Sequence, residues 1–355
     1  MIRRRHTGAR ATAFIGGLVA LLCAAAVPSQ PPNPAPNRAP FLALSGSIVR
    51  VEVDREGGGL ALGSGVTIAP SVVVTNCHVT RDGTFARISG SGLLWNVTGQ
   101  YADLLHDLCF LRVPGWRGEP VVLGTSAGLR SGQPVAALGF TGGTAISLRF
   151  GQVVALHSLD SGHIIESDTA FTSGASGGGL FDVTGALVGL LTFRLRGSRG
   201  NYYSLPAEWI GARLPTEDQW TDLAPLHGAR AFWQSDAESL PYFMRVAALD
   251  AERHWRALLD LADRWSSASP RDAEPLLVRG KTLQQLNRPA AAVVAFNAAL
   301  RLTPDDPAGW YGLALAYAAL GDEPAARSAQ AKLEVLNEGL AAELKAQLGR
   351  SQSAE

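Results

Sequence analysis

The sequence predicts two unlike halves, an all-β barrel or sandwich followed by an all-α array of repeats. Three observations carry this. Between Phe41 and Leu214, short runs rich in β-branched residues alternate with glycine turns. Many short strands at such spacing mark a barrel or sandwich, with no room for the crossover helices of a parallel sheet. From about Leu240 onward, Ala, Leu, Arg and Glu recur at helical spacing instead. Within that stretch the sequence matches itself at an offset of 34 residues.

Taken in order, the chain opens with the basic run MIRRRHTGAR, followed by the uncharged ATAFIGGLVALLCAAAV. Residues 1–27 read as an export signal with a small-residue cleavage site at Ala24 to Ala26, or as an uncleaved anchor. Residues 28–40 (PSQPPNPAPNRAP) form a Pro-rich linker, either a semi-rigid stalk or a disordered mature N-terminus. Residues 41–214 hold the strand-like runs SIVRVEV, GVTIA, SVVVTN, LCFLRV, PVAALGF, QVVAL, ALVGLLTF and NYYSLP. Residues 215–238 are a connector. Residues 239–345 are the helical repeats: Leu276 aligns with Trp310, Gly280 with Ala314, Leu283 with Tyr317 and Ala292 with Ala326. Units at 273–306 and 307–340 match well and one at 239–272 less so; Gln330 stands where the first has Phe296, as a cap would. Small residues at helix crossings and a proline at the end of each unit resemble tetratricopeptide repeats.

Charge excludes some functions. Lys+Arg and Asp+Glu both number 31, which argues against a protein held to nucleic acid by phosphate contacts. No polybasic patch points to a membrane surface, so membrane contact is expected only through an uncleaved N-terminal segment. No Cys/His cluster has ligand spacing, and neither a metal nor an organic cofactor is implied.

The chemistry centres on FTSGASGGGLFD, Phe171 to Asp182. Here GASGG matches the G-x-S-x-G elbow of α/β-hydrolases, but that motif needs a strand–turn–helix context with its histidine later in the chain. GLFDVTGALVGLL after Ser176 reads as two strands around a turn, and the later His227 and His254 lie in the connector and the helical region. The opposite order fits. His78 follows the apolar strand SVVVT, Asp107 heads LCFLRV, and Ser176 comes third. His, Asp, Ser on a β scaffold is the order of a nucleophilic triad. Asp103 is the competing acid, but DLLHD breaks the apolar run expected after it.

The ordered set from GSGVTIAPSVVVTNCHV through DLCFLRV and GLRSGQPVAALGF to ESDTAFTSGASGGGLFDVTGALVGLLTF and NYYSLP resembles the trypsin-like serine peptidases. It is most similar to their bacterial Deg/HtrA branch. The resemblance implies a chymotrypsin-like double β-barrel, a polypeptide substrate, an extracytoplasmic (periplasmic or secreted) setting and a place in protein quality control. His78 would be the general base, Asp107 its orienting acid and Ser176 the nucleophile. The N–H groups of Gly174 and Ser176 would form the oxyanion hole. The resemblance puts Ala170 at the base of the specificity pocket, Phe171 beside it and Tyr202 where the family has glycine. Small aliphatic residues are then expected before the scissile bond. Thr192, Phe193 and Arg194 would offer a strand edge to the substrate backbone. Ala175 replaces the acid of the zymogen switch, and helical repeats stand where Deg proteases carry PDZ domains.

The repeats are expected to hold a protein partner in their groove and not to build the active site. Cys77 and Cys109 are expected to form a disulfide. Leader cleavage would remove Cys23, the triad would bring their neighbours His78 and Asp107 together, and export favours oxidation. Two buried free thiols are the other reading. The alternative function is a catalytically degenerate scaffold that acts through its repeats.

Overall fold

The computed structural model describes residues 38–90, 92–143, 145–195 and 202–352. The leader over 1–27 and most of the linker over 28–40 lie outside them. A short helix α1 (Ala39–Ala43) opens the described chain and buries Phe41, whose ring meets Phe150 edge-on at 5.3 Å.

The first sheet contains β1 (Ile48–Arg55), β2 (Leu60–Ala69), β3 (Val72–Thr75), β4 (Gly83–Gly90), β5 (Leu93–Asn96), β6 (Gly99–Asp103) and β7 (Leu108–Arg112). A single turn of helix, α2 (Cys77–Thr80), lies between β3 and β4. The strand order is β5-β4-β1-β2-β3-β7-β6. The second contains β8 (Pro134–Thr141), β9 (Ala145–Leu159), β10 (Gly162–Ser167), β11 (Gly179–Asp182), β12 (Leu187–Arg194) and β13 (Tyr202–Pro206). It closes in the order β10-β13-β12-β11-β8-β9.

The second sheet closes into a barrel and the first, of seven strands, forms a half-barrel, in line with the expected chymotrypsin-like β architecture. The end strands of the first sheet, β5 and β6, are short and joined by a corner whose N–H groups bond β4 on one side and β7 on the other. Val97 N–H bonds Ala86 O on β4, and Thr98 N–H bonds Arg112 O on β7. The free side of β6 is taken by the connector, where Gln100 and Thr221 exchange backbone hydrogen bonds of 2.8 and 3.0 Å. Covering an edge in this way blocks pairing with other chains.

Three apolar clusters hold the β region. Val49, Val51, Val53, Ile88, Leu111 and Trp116 pack under the first sheet. Val135, Ala137, Ile165, Leu180 and Leu191 fill the barrel. A third joins Val74 and Phe110 of the first sheet to Leu138, Phe181 and Leu190 of the second. Burying side chains of this size contributes about 1.5–3 kcal/mol each. After α3 (Ala207–Ala212), the connector contributes Phe232 to this third cluster.

The helical region follows as α4 (Tyr242–Ala251), α5 (Trp255–Ala268), α6 (Glu274–Gln285), α7 (Pro289–Leu302), α8 (Pro307–Ala319), α9 (Glu323–Leu336) and α10 (Glu338–Gln352). Pro289 and Pro307 stand in the first turns of α7 and α8, where a missing N–H costs nothing. The ring of Phe296 on α7 lies between Gly280 of α6 and Gly312 of α8, and a Cβ at either glycine would collide with it. Phe243, Met244 and Trp265 of the first helical pair share the third β-region cluster, so α4 and α5 pack as part of its core.

Candidate active site

Each candidate residue sits where a strand ends. β3 carries the run Val72 to Thr75 into the core and releases the chain at Asn76, so that His78 falls in the single turn α2. Asp107 closes the turn between β6 and β7 with φ of +55°, a left-handed conformation that a non-glycine residue adopts at a cost of ~1 kcal/mol. The backbone of this turn is held from β3's end. Asn76 Nδ2 donates to Asp107 O at 3.1 Å, and Cys77 N–H donates to the same oxygen at 3.2 Å.

His78 and Asp107 meet directly. His78 Nδ1 is 2.7 Å from Asp107 Oδ2, and His78 N–H donates to Oδ1 at 2.8 Å. The Asp107 side chain is 1% exposed and the imidazole 24%. A carboxylate that accepts at Nδ1 places the proton there and leaves Nε2 facing outward as an acceptor. A disulfide joins the neighbours Cys77 and Cys109, with Cα atoms 4.8 Å apart.

Ser176 lies between β10 and β11, half-buried. Its carbonyl accepts from Ser64 N–H on β2 at 2.8 Å. Ser64 Oγ in turn donates to Gly174 O at 2.7 Å and accepts from Phe140 N–H at 2.8 Å. Two glycines are required by geometry. Gly174 has φ of +93°, and a Cβ there would stand 2.5 Å from Gly143 N and 2.6 Å from Phe140 O. Gly177 has φ of +84°, and its Cβ would collide with Ser64 O and Thr75 Oγ1. Among the described residues, the N–H groups of Gly174 and Ser176 donate to no protein acceptor. Free N–H pairs of this kind can receive an oxyanion.

The serine hydroxyl donates to Thr192 O at 3.3 Å, and among the described residues no hydrogen bond joins it to His78. The two halves of the site are nevertheless tied together: the Asn76 amide that holds Asp107 O also donates to Thr192 Oγ1 at 3.1 Å.

Of the other candidates, Ala170 and Arg194 are exposed. Phe171 is buried in the barrel cluster with its ring 4.9 Å from that of Tyr202. Thr192 is buried, and the β12–β13 register shifts between Leu191 and Phe193. The Phe193 side chain turns inward, 5% exposed, and stacks between Tyr203 and Trp233, so only its backbone remains for a substrate. Asp103 is engaged elsewhere, by His106 Nδ1 at 2.7 Å and by the Arg213 guanidinium. Burial works against its charge, but the His106 bond and the Arg213 charge outweigh it and hold Asp103 below the ordinary carboxylate range.

One residue at this site was not singled out from the sequence. Trp233, in a single 3-10 turn of the connector, donates Nε1–H to Asp107 Oδ2 at 3.1 Å and meets the His78 ring edge-on at 5.5 Å. The only sequence signal was a Phe-Trp pair within a polar segment.

The profile of the trypsin-like peptidase domain matches residues 63–190, a span that holds His78, Asp107 and Ser176 in order. Residues 63–190 are a trypsin-like peptidase domain. A TPR-repeat profile matches residues 269–321, which run from the end of α5 through α8. Curated relatives of the peptidase domain include a "Probable periplasmic serine endoprotease DegP-like" of Ectopseudomonas mendocina, 36% identical over 160 residues, covering 42% of this chain and 33% of that protein. "Serine protease PepD" of Mycobacterium tuberculosis is 29% identical over 204 residues, covering 49% of this chain and 42% of that protein. The chain spans from 21% to 42% of the length of the curated relatives it matches. Among solved structures, the active form of the Rv3671c protease of M. tuberculosis shares the fold: TM-score 0.50 and 21% identity, over 56% of this chain and 92% of that one. Among the described residues, no group of three or more His, Cys, Asp or Glu could hold a metal ion. No helix among them is long and apolar enough to cross a membrane.

Proposed function

We propose that the protein is an exported serine endopeptidase, with a catalytic domain over 41–214, a connector over 215–238 and tetratricopeptide repeats over 239–345 that bind a protein. One observation carries the reading: a buried carboxylate holds His78 through two hydrogen bonds, and the Asn76 amide links that carboxylate's turn to Thr192, the acceptor for Ser176 Oγ.

Serine is a weak nucleophile at neutral pH and needs a base. In the proposed reaction, the Ser176 hydroxyl leaves Thr192 O and gives its proton to His78 Nε2 as Oγ attacks the scissile carbonyl. Asp107 stabilises the imidazolium. The developing oxyanion receives the N–H groups of Gly174 and Ser176, each worth roughly 3 kcal/mol in such sites. His78 then protonates the leaving amine, and water repeats the sequence on the acyl-enzyme. Thr192 to Arg194 supply backbone for the substrate strand, and the 4.9 Å Phe171–Tyr202 ring contact supports a preference for small side chains before the scissile bond. Export is supported by the basic and apolar leader and by a disulfide, which persists in oxidising compartments.

The second reading, a scaffold with a silent peptidase domain, is favoured by the Ser176 hydroxyl's bond to Thr192 O and by the Phe171–Tyr202 ring pair, which narrows the pocket. Peptide-library cleavage by the full chain, with Ser176→Ala as control, separates the two. Cleavage that Ser176→Ala abolishes supports the peptidase; no cleavage by either protein supports the scaffold.

A further inference from the structure

Trp233 is supplied by the connector, outside the matched peptidase domain, yet it touches both the acid and the imidazole of the site. We propose that Trp233 is a positioning residue for Asp107, so that the connector to the helical region completes the triad. The proposal rests on the peptidase reading of His78, Asp107 and Ser176.

The Asp107 carboxylate accepts from three donors. Asp107 Oδ1 accepts from His78 N–H, while Oδ2 accepts from both His78 Nδ1 and Trp233 Nε1. An indole N–H can only donate, and 3.1 Å is within hydrogen-bond range. The third donor removes the remaining freedom of the carboxyl to rotate away from His78. The ring itself also walls the imidazole edge-on.

Trp233 is held on two sides. Phe232 N–H bonds Leu105 O at 2.9 Å, fixing the turn beside the β6–β7 connection that carries Asp107. Its ring stacks on Phe193 at 5.2 Å and 13°, and Phe193 stacks on Tyr203 at 4.9 Å and 4°. Tyr203 meets His157 and Phe243 of α4, each at 5.9 Å. His157 stacks on Phe243 at 4.3 Å and bonds Glu166 of β10 at 2.8 Å and Glu274 of α6 at 2.5 Å. An unbroken column of packed rings therefore runs from the first helices of the repeat region to Asp107. Close packing along this column ties the placement of Trp233 to that of α4. An ordinary core tryptophan would need its ring here but not its N–H, and that difference is testable.

The test uses the full chain carrying Trp233→Phe, and separately a chain with benzothienylalanine at 233, which keeps the indole shape and lacks the N–H. Two quantities are measured: the rate at which a fluorophosphonate labels Ser176, and the far-downfield proton resonance of the His78 Nδ1–H bond to Asp107. Labelling is expected to slow about tenfold, as for loss of a hydrogen bond to a charged group, and the resonance to move, while the benzothienyl protein still unfolds cooperatively with a melting temperature within about 5 °C of the wild type. Unchanged labelling and resonance in the benzothienyl protein would overturn this inference alone. Absence of labelling in the wild type would overturn the peptidase reading and this inference with it.

Discussion

His78 and Asp107 are joined twice, ring to carboxylate at 2.7 Å and backbone N–H to carboxylate at 2.8 Å. The two bonds use different oxygens, so both must be acceptors. An asparagine at 107 can satisfy only one of them, and its amide would confront an N–H with an N–H or force the imidazole into the wrong tautomer. Asp107→Asn is expected to cut peptidase turnover by ~10³–10⁴-fold while circular dichroism shows the β fold intact.

Gly174 sits where no side chain fits. Gly174→Ala would place a methyl group 2.5–2.6 Å from Gly143 N and Phe140 O at a φ of +93°. The loop must move, and with it the N–H proposed to face the oxyanion. Turnover is expected to fall ~10²-fold or more, with a lowered melting temperature and little change in the affinity of a bound product peptide. Activity equal to the wild type would remove Gly174 from the oxyanion hole.

The disulfide closes a loop with a sequence separation of 32 that contains His78 and Asp107. In the chain-entropy view this stabilises the fold by ~3–4 kcal/mol. Urea denaturation of the Cys77→Ser, Cys109→Ser protein is expected to show a loss of that size. Mass spectrometry after alkylation under denaturing, non-reducing conditions is expected to find neither cysteine modified in the mature protein.

Stability should also depend on pH through His157. Burial opposes its charge, but the Glu274 charge and the hydrogen bonds to Glu166 and Glu274 outweigh it, and its pKa is pushed up to about 10. Burial raises Glu274 above the ordinary carboxylate range despite the His157 charge, and Asp272 beside it is raised likewise. Tyr203, the remaining titratable neighbour, is raised by burial and by the Glu166 and Glu274 charges. A group whose folded pKa is raised stabilises fully below its unfolded value and loses that contribution as pH climbs through the folded one. The melting temperature is therefore expected to fall between about pH 6.5 and 10, with a shallower slope in His157→Gln.

Parts of this molecule were legible from residue order and parts were not. Strands made of unbroken apolar runs, such as Val72 to Thr75 and Leu187 to Phe193, stand out between glycines. β4, β5 and β10 do not: Arg87 and Ser89 interrupt β4, β5 is four residues with no buried position, and His163 and Glu166 leave β10 only a two-residue apolar run. The corner between β5 and β6, where Val97 N–H bonds β4 and Thr98 N–H bonds β7, is encoded by no local pattern. His78, Asp107 and Ser176 could be singled out because each stands beside an apolar strand in a recognisable order. Trp233 could not: it lies 126 positions from Asp107, and its role is defined only by the packing of the connector. The same holds for the ring contacts that run from Phe243 of α4 through Tyr203 and Phe193 to Trp233, which no local pattern encodes.

The central claim is that Ser176 is a nucleophile activated by His78. The full chain should be incubated with a fluorophosphonate and digested, and the site of the adduct read by mass spectrometry. One adduct on Ser176 is expected, absent in Ser176→Ala and slowed by orders of magnitude in His78→Ala. A folded wild-type chain that takes up no adduct, or takes it up elsewhere than Ser176, would contradict the claim.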